Sequence, residues 1–355
     1  MKRQKQGIDI LKLNTGNPAT FGFGLPDSIK NALMEHIQDG VGYCDFKGMP
    51  QARQAICDYE TSKGIKGITP DDVFIGNGVS EVVSFALTPL LNDGDEVLVP
   101  SPSYSLWGNS VYLEDGKPVF YTCDEQANWY PDIQDIRSKI TDKTKAIVII
   151  NPNNPTGEVR DKKYLTELIA KHPRVCFVID QSYEYFTLKE LFTAQEAAGF
   201  PNVILLHSMT KRYAIPGLRL GYVTAHPGLI GRLRTNRMPW SVNQLAIEAG
   251  LYLLSEGIPA GLSMKDYLAE CARLKSSLEA IGGLEVWPTD THFMLVCLRF
   301  GKAAALKEYL AREEGILIRD ASNFEGLDER FFRIATQTSE ENDELVGAIA
   351  KWMAE

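Results

Sequence analysis

The chain reads as an α/β protein: a mostly parallel central sheet covered by helices, followed by a smaller α+β C-terminal domain. Two observations predict this. First, apolar, β-branched runs recur at 73-VFIG, 96-EVLVP, 146-AIVII, 175-VCFVID, 203-VILLHS and 219-RLGYVTA, with helix-length amphipathic stretches (79–91, 104–113, 164–171) between most of them. Strands that are apolar throughout and alternate with helices imply a parallel sheet buried on both faces. Second, the rhythm changes near residue 240. Two long helical stretches (242–255 and 260–281) precede shorter strands at 285-EVWPT, 292-HFMLVCL, 316-ILIRD and 331-FFRIATQ, and a helix over 340–354 closes the chain.

The elements before the sheet follow from local chemistry. Residues 1–25 form an arm, with a short apolar run from Ile8 to Leu13 and then NTGNPATFGFGLP, dense in turn formers. Such a segment has little core of its own and is expected to pack on something else. Pro26 to Gln38 reads as a helix, with proline at its start and Gly40 past its end. A Gly-punctuated loop, 41-VGYCDFKGMP, leads to a second helix over 50–62. The expected division is an arm and helix at 1–40 packing on the small domain, a large domain at 41–240 and a small domain at 241–355.

Composition narrows the function classes. The chain has 355 residues, 44% hydrophobic and 23% charged, which is ordinary for a globular protein. A net charge of -9 argues against a general nucleic-acid binder but leaves room for a local anion site. Six scattered cysteines show no CxxC spacing, so neither a disulfide framework nor a zinc site is expected; Cys176 and Cys297 read as buried hydrophobes. The basic N-terminus lacks an apolar h-region, and no apolar run reaches the roughly 20 residues of a membrane helix. A soluble, cytoplasmic protein without metal is expected.

The chemistry gathers where strands end. Lys211 follows the run 203–208, and a lysine there is costly to desolvate. One use for it is Schiff-base formation with a carbonyl; a surface lysine in a basic loop is the plain alternative. Ser208, Thr210 and Arg219 around it suit a phosphate. A lysine beside a phosphate clamp suggests pyridoxal 5'-phosphate (PLP). In 76-GNGVSE, which opens a helix after a strand, Val79 and Ser80 would offer amides to an anion, although an ordinary capped turn reads the same way. Tyr104, in 101-SPSYS, is placed to stack on a flat ring or to be a half-buried core tyrosine. In 151-NPNNPTG, two Asn-Pro steps force a turn-rich path and Asn154 has an amide to donate to a phenolate oxygen. Asp180 ends its apolar run, where a carboxylate needs a partner such as a pyridinium nitrogen, or else caps the next turn; Tyr183 follows it.

These motifs, spread over nearly the whole chain, resemble a fold-type I PLP enzyme of the class I/II aminotransferase superfamily. The resemblance implies that Lys211 is the Schiff-base lysine, that Asp180 pairs with the pyridine nitrogen, and that Asn154 and Tyr183 contact the phenolate oxygen. It further implies that Tyr104 stacks on the ring and that Val79, Ser80, Ser208 and Arg219 hold the cofactor phosphate. Tyr43 would reach the phosphate of a neighbouring subunit, implying a homodimer with shared active sites. Arg333 would grip the substrate α-carboxylate, and Asn17 falls at a substrate-side position.

The two halves of the chain lean differently. The segments 14-NTGNP, 41-VGYCDFKG and 151-NPNNPTG resemble general class I aminotransferases. SMTKRYAIPGLRLGY, MPWSVN and 317-LIRDASNFEGLDERFFRIATQTSEEND resemble L-threonine O-3-phosphate decarboxylase, a cobalamin-pathway family related to histidinol-phosphate aminotransferase. In both of those families an arginine placed like Arg319 helps bind substrate phosphate. The expected activity is decarboxylation of threonine phosphate to aminopropanol phosphate, with transamination of histidinol phosphate or another amino acid as the alternative. Retention of Lys211, Asp180 and Arg219 counts against a catalytically silent homologue. Two departures stand out: the arm lacks the His-Gly-Gly segment common in the decarboxylases, and the usual Asp-Glu-Ala after the strand is Asp180-Gln181-Ser182.

Overall fold

The computed structural model describes residues 10–14, 27–43, 49–236, 238–256 and 263–354. In chain order the strands are β1 (Leu11–Lys12), β2 (Val73–Gly76), β3 (Glu96–Ser101), β4 (Lys117–Asp124), β5 (Tyr130–Pro131), β6 (Thr144–Ile150), β7 (Cys176–Asp180), β8 (Val203–Ser208), β9 (Gly221–Thr224), β10 (Leu284–Val286), β11 (Phe293–Leu298), β12 (Ile316–Leu317), β13 (Arg319–Asp320) and β14 (Phe331–Ala335).

The large sheet has eight strands in the order β2-β9-β8-β7-β6-β3-β4-β5. Its middle, from β8 to β4, is parallel. Side chains alternate between two buried layers. Val97, Val99, Val148, Val178 and Leu206 face one cluster, while Leu98, Ile147, Ile149, Phe177 and Leu205 face the other. This period of two, apolar on both sides, is why these strands read as continuous hydrophobic runs.

β9 and β4 depart from the sequence expectation in the large sheet. β9 runs antiparallel to both β8 and β2. Only the four-residue helix Met209–Arg212 and a short loop join β8 to β9, too little chain for a crossover to a parallel partner. β4 was not anticipated: its mixed sequence KPVFYTCD alternates between buried and exposed positions near the sheet edge, so it lacks the apolar run that marks the inner strands.

A second sheet, β10-β11-β14-β13, is antiparallel throughout. The helices Met264–Glu279 and Ser339–Ala354 cover one of its faces, where Leu274, Leu278, Met294, Phe332 and Leu345 share a core. Its other face contributes Leu295, Cys297 and Phe331 to a cluster of the large sheet. The sequence reading packs the arm and helix of 1–40 on a small domain that begins at 241; the helices at the two boundaries pack otherwise. Helix Asp27–Glu35 and helix Gln244–Glu256 pack together, the latter also on Pro50–Ser62. Ile29, Ile56, Ile75, Ala246 and Leu253 form one cluster on the flank of the large sheet. The part of the arm that is described does reach the small domain: β1 pairs in parallel with β12, and the Ala335 amide donates to the Leu13 carbonyl. All five described cysteines are free and buried. No helix among the described residues is long and apolar enough to cross a membrane.

Phe177 is fully buried at the centre of the parallel sheet. Phe177→Ala is expected to destabilise the fold by about 3–5 kcal/mol, read as a lower midpoint in chemical denaturation; an unchanged midpoint would contradict this packing.

Candidate active site

The carboxyl ends of β3, β6, β7 and β8 open on one cavity of about 530 Å³, with the second sheet forming its far wall. β3 is flanked by β4 on one side and β6 on the other, the kind of strand-order reversal at which open α/β sheets bind ligands. The structure brings Val79, Ser80, Tyr104, Asn154, Asp180, Tyr183, Ser208, Lys211, Arg219, Arg319 and Arg333 to this one space. Tyr43 lies elsewhere, 86% exposed, its ring tilted against that of Trp240 with centroids 4.9 Å apart. Asn17 lies outside the described residues.

At the floor, Asp180 is buried and in register with Ile150 and Leu206 on the adjacent strands. Its Oδ1 accepts from the Ser182 amide (3.0 Å) and hydroxyl (2.6 Å), and its Oδ2 accepts from Trp107 Nε1 (3.1 Å). Burial pushes its carboxyl above the ordinary value, while the Ser182 and Trp107 bonds and the Lys211 charge pull the other way. Its hydrogen-bond donors are neutral, and the nearest cation, the Lys211 ammonium, interacts with it through space without a hydrogen bond or ion pair; the Lys211 Nζ lies 5.9 Å from the Tyr183 ring centre. A buried carboxylate without a bonded cation suits a ring N–H⁺.

At one end, the helix Gly78–Leu87 points its first turn, with Val79 and Ser80, into the cavity. Ser208 and Thr210 hydroxyls lie 2.9 Å apart. Arg219 adopts φ +58° and donates to the Pro216 carbonyl (3.2 Å). Its guanidinium presses on Gly78, where a Cβ would meet Nη2 at 2.6 Å; Gly78 itself has φ +75°. A Cβ on Gly221, paired with Ser208 across the sheet, would meet the Val79 amide nitrogen at 3.1 Å. Close backbone approach thus concentrates amides, hydroxyls and a guanidinium in one cradle, a donor set that fits a phosphate.

At the other end, Arg333 is buried, donates to Asn154 Oδ1 through Nη1 and to the Asn14 carbonyl through Nη2 (2.9 Å). Burial lowers its guanidinium pKa, Tyr183 opposes that, and Arg319 adds to the lowering. Arg319 is its cross-strand partner in register, bonded to Asn323 Oδ1 (2.8 Å) and lying over the Phe324 ring at 5.1 Å. Because Asn154 gives its oxygen to Arg333, its amide N–H₂ remains a donor for a ligand. The other asparagines of that loop are committed internally: Asn151 bonds the Arg160 backbone, and Asn153 accepts from Thr156.

Sequence reasoning missed Trp107, Ser182, Asn14 and Phe324. Ser182 was visible as a departure from the usual triplet, but its bond to Asp180 depends on the turn after β7. Trp107 lies in a helix with no pattern of its own to mark it. The Gly78–Arg219 contact predicts that Gly78→Ala lowers PLP affinity at least about tenfold, through one strained backbone position and one displaced charge-assisted donor, with the far-UV circular dichroism unchanged. Equal affinity in an equilibrium binding titration would contradict it.

Similarity to known proteins identifies the family. The glutamate-pyruvate aminotransferase AlaA of Haemophilus influenzae is 47% identical over 227 residues, 63% of this chain and 56% of that protein, so the match spans little more than half the length of that relative. A protein of Caldanaerobacter subterraneus subsp. tengcongensis, provisionally named threonine-phosphate decarboxylase, is 30% identical over 331 residues, 92% of this chain and 86% of that one. Among solved structures, L-threonine-O-3-phosphate decarboxylase of Porphyromonas gingivalis superposes with a TM-score of 0.86 at 28% identity, covering 98% of this chain and 100% of that one. The profile of the aminotransferase class I and II family matches residues 8–349. The chain belongs to that family, whose members use pyridoxal 5'-phosphate and have the fold-type I architecture found here.

Proposed function

We propose that this protein carries PLP on Lys211 and acts on an α-amino acid whose side chain ends in a second anion, with decarboxylation of L-threonine O-3-phosphate as the favoured reaction. The observation that carries this reading is the pair Arg333 and Arg319, opposite each other on β14 and β13 and both lining the cavity. One guanidinium suits the α-carboxylate and the other a phosphate. The whole-length likeness to threonine-phosphate decarboxylases supports the same substrate.

The bound cofactor supplies a ring that accepts the electron pair of a bond broken at the substrate Cα. The protein's part is positioning and proton transfer. Asp180 would oppose the ring nitrogen, Asn154 and Tyr183 would hold the ring oxygen, and Tyr104 would cover the ring. Val79, Ser80, Ser208 and Arg219 hold the phosphate. Lys211 would carry the cofactor and, with the substrate amine in its place, would stand beside Cα as an ammonium. In decarboxylation the carboxylate would leave as carbon dioxide, and the Lys211 ammonium would donate one of its own protons to Cα.

A second reading, amino transfer between glutamate and a keto acid, is favoured by the 47% identical aminotransferase. Glutamate also carries two anions, and Lys211 would then take the Cα proton. We further propose a cytoplasmic homodimer with shared sites. The Tyr43 and Trp240 rings are in contact while both remain exposed, as suits residues covered by a second copy.

Incubating the PLP-loaded protein with O-phospho-L-threonine and no keto acid should release carbon dioxide. No release, with amino transfer from glutamate instead, would sink the decarboxylase reading. Arg319→Ala is expected to raise KM for phosphothreonine about tenfold or more, the loss of a charge-assisted contact, while PLP affinity holds; equal loss of both would make the arginine structural. Lys211→Ala should remove both turnover and the visible absorbance of lysine-bound cofactor, and retained turnover would overturn the assignment.

A further inference from the structure

We propose that Ser182 is a positioning residue: by donating to Asp180 it keeps that carboxylate ionised, so that the single proton shared with the cofactor's ring nitrogen stays on the nitrogen. The inference rests on the reading that PLP binds here with its ring nitrogen against Asp180. It starts from the turn that follows β7. The chain reads Asp180-Gln181-Ser182, which puts a hydroxyl two residues after the carboxylate and beside it.

The geometry makes that hydroxyl consequential. Ser182 Oγ lies 2.6 Å from Asp180 Oδ1, the shortest of the three bonds the carboxylate accepts, and the Ser182 amide reaches the same oxygen at 3.0 Å. Trp107 occupies the other oxygen at 3.1 Å. Both Ser182 and Asp180 line the cavity. Gln181 between them is turned away, its Nε2 donating to the Phe192 carbonyl (3.0 Å) and its amide to the Leu206 carbonyl (3.0 Å). The turn is therefore anchored from behind, and Ser182 has a fixed aim.

The physical consequence has a definite sign. A carboxylate and a pyridine nitrogen in contact hold one proton between them, and whichever base is weaker cedes it. Burial strengthens Asp180 as a base; hydrogen bonds donated to it weaken it. Of the charged groups lining the cavity, Lys211 acts on Asp180 in the same direction as those bonds. Arg219 is turned toward Gly78, and Arg333 and Arg319 toward Asn154 and Asn323. Removing the Ser182 hydroxyl returns basicity to Asp180, and the proton shifts from nitrogen to carboxyl oxygen. No electrons move and no other reactant is needed. A ring without that proton is a weaker electron sink.

The test is to load the full-length protein with PLP isotopically labelled at the ring nitrogen and record the nitrogen resonance. The wild-type signal should fall at the protonated position. Ser182→Ala should move it toward the unprotonated position and raise the PLP dissociation constant about tenfold, the loss of one hydrogen bond to an ionised group. Ser182→Thr, which keeps the hydroxyl, should restore both. An unmoved resonance in Ser182→Ala overturns the inference while leaving the PLP reading intact. Failure of the wild-type protein to bind PLP overturns both. Should Ser182→Ala not fold, Ser182→Cys, a weaker donor of similar size, must give an intermediate shift; a wild-type resonance there refutes the role.

Discussion

The constraint on which the site depends is the buried carboxylate of Asp180. A carboxylate at the end of an inner strand, flanked by Ile150 and Leu206, loses its hydration and requires compensation. Ser182 and Trp107 satisfy it with neutral donors, which keeps it in place without neutralising it. The remaining demand is for positive charge from the cavity side. The parallel register sets where that charge must lie, because the ends of β6, β7 and β8 reach the same level and deliver Asn154, Asp180 and Lys211 to one space.

A second constraint acts on the backbone. Gly78, Gly221 and Arg219 crowd together so closely that a methyl group at either glycine would enter the contact. That crowding ties the start of helix Gly78–Leu87 to β9 and Arg219. β9 can reach the spot because it is antiparallel to β8: a short connection brings the chain straight back past the strand end that carries Ser208. The reversal that departs from the expected parallel rule is thus what sets Arg219 beside the helix N-terminus.

Much of this was legible in the sequence where chemistry and periodicity coincide. Lys211, Asp180 and Asn154 each follow an apolar run, and an inner strand announces itself by being apolar on both faces. What was not legible depends on half-exposed patterns or on contacts between distant segments. β4 alternates polar and apolar residues, so it lacks the signal of its neighbours. Trp107 meets Asp180 only because the helix after β3 lies over the end of β7, a contact across 73 positions. Helix Gln244–Glu256 follows the apparent boundary at 240, yet its apolar face fits the flank of the large sheet. Sequence position there is a poor guide to packing partner.

The substrate side shows why the reaction is harder to read than the cofactor. Arg333 is held by Asn154 from the large sheet and by Asn14 from the arm, so three distant segments must assemble before its position is defined. Arg319 is held within its own turn by Asn323 and Phe324, which leaves more of its guanidinium for a ligand. The loop that follows is fastened to the large sheet: Ser101 donates to the Glu325 carbonyl (3.0 Å), and Gly326 leaves no room for a Cβ against Ser101. The Arg319 turn is therefore tied to the same segment of chain that carries Tyr104. In the proposed reading, an anion on Arg319 and a ring under Tyr104 would be positioned by one connected piece of structure. The geometry consequently constrains the distance from ring to side-chain anion more tightly than it constrains which bond at Cα lies perpendicular to the ring, and that second choice is the one separating decarboxylation from transamination.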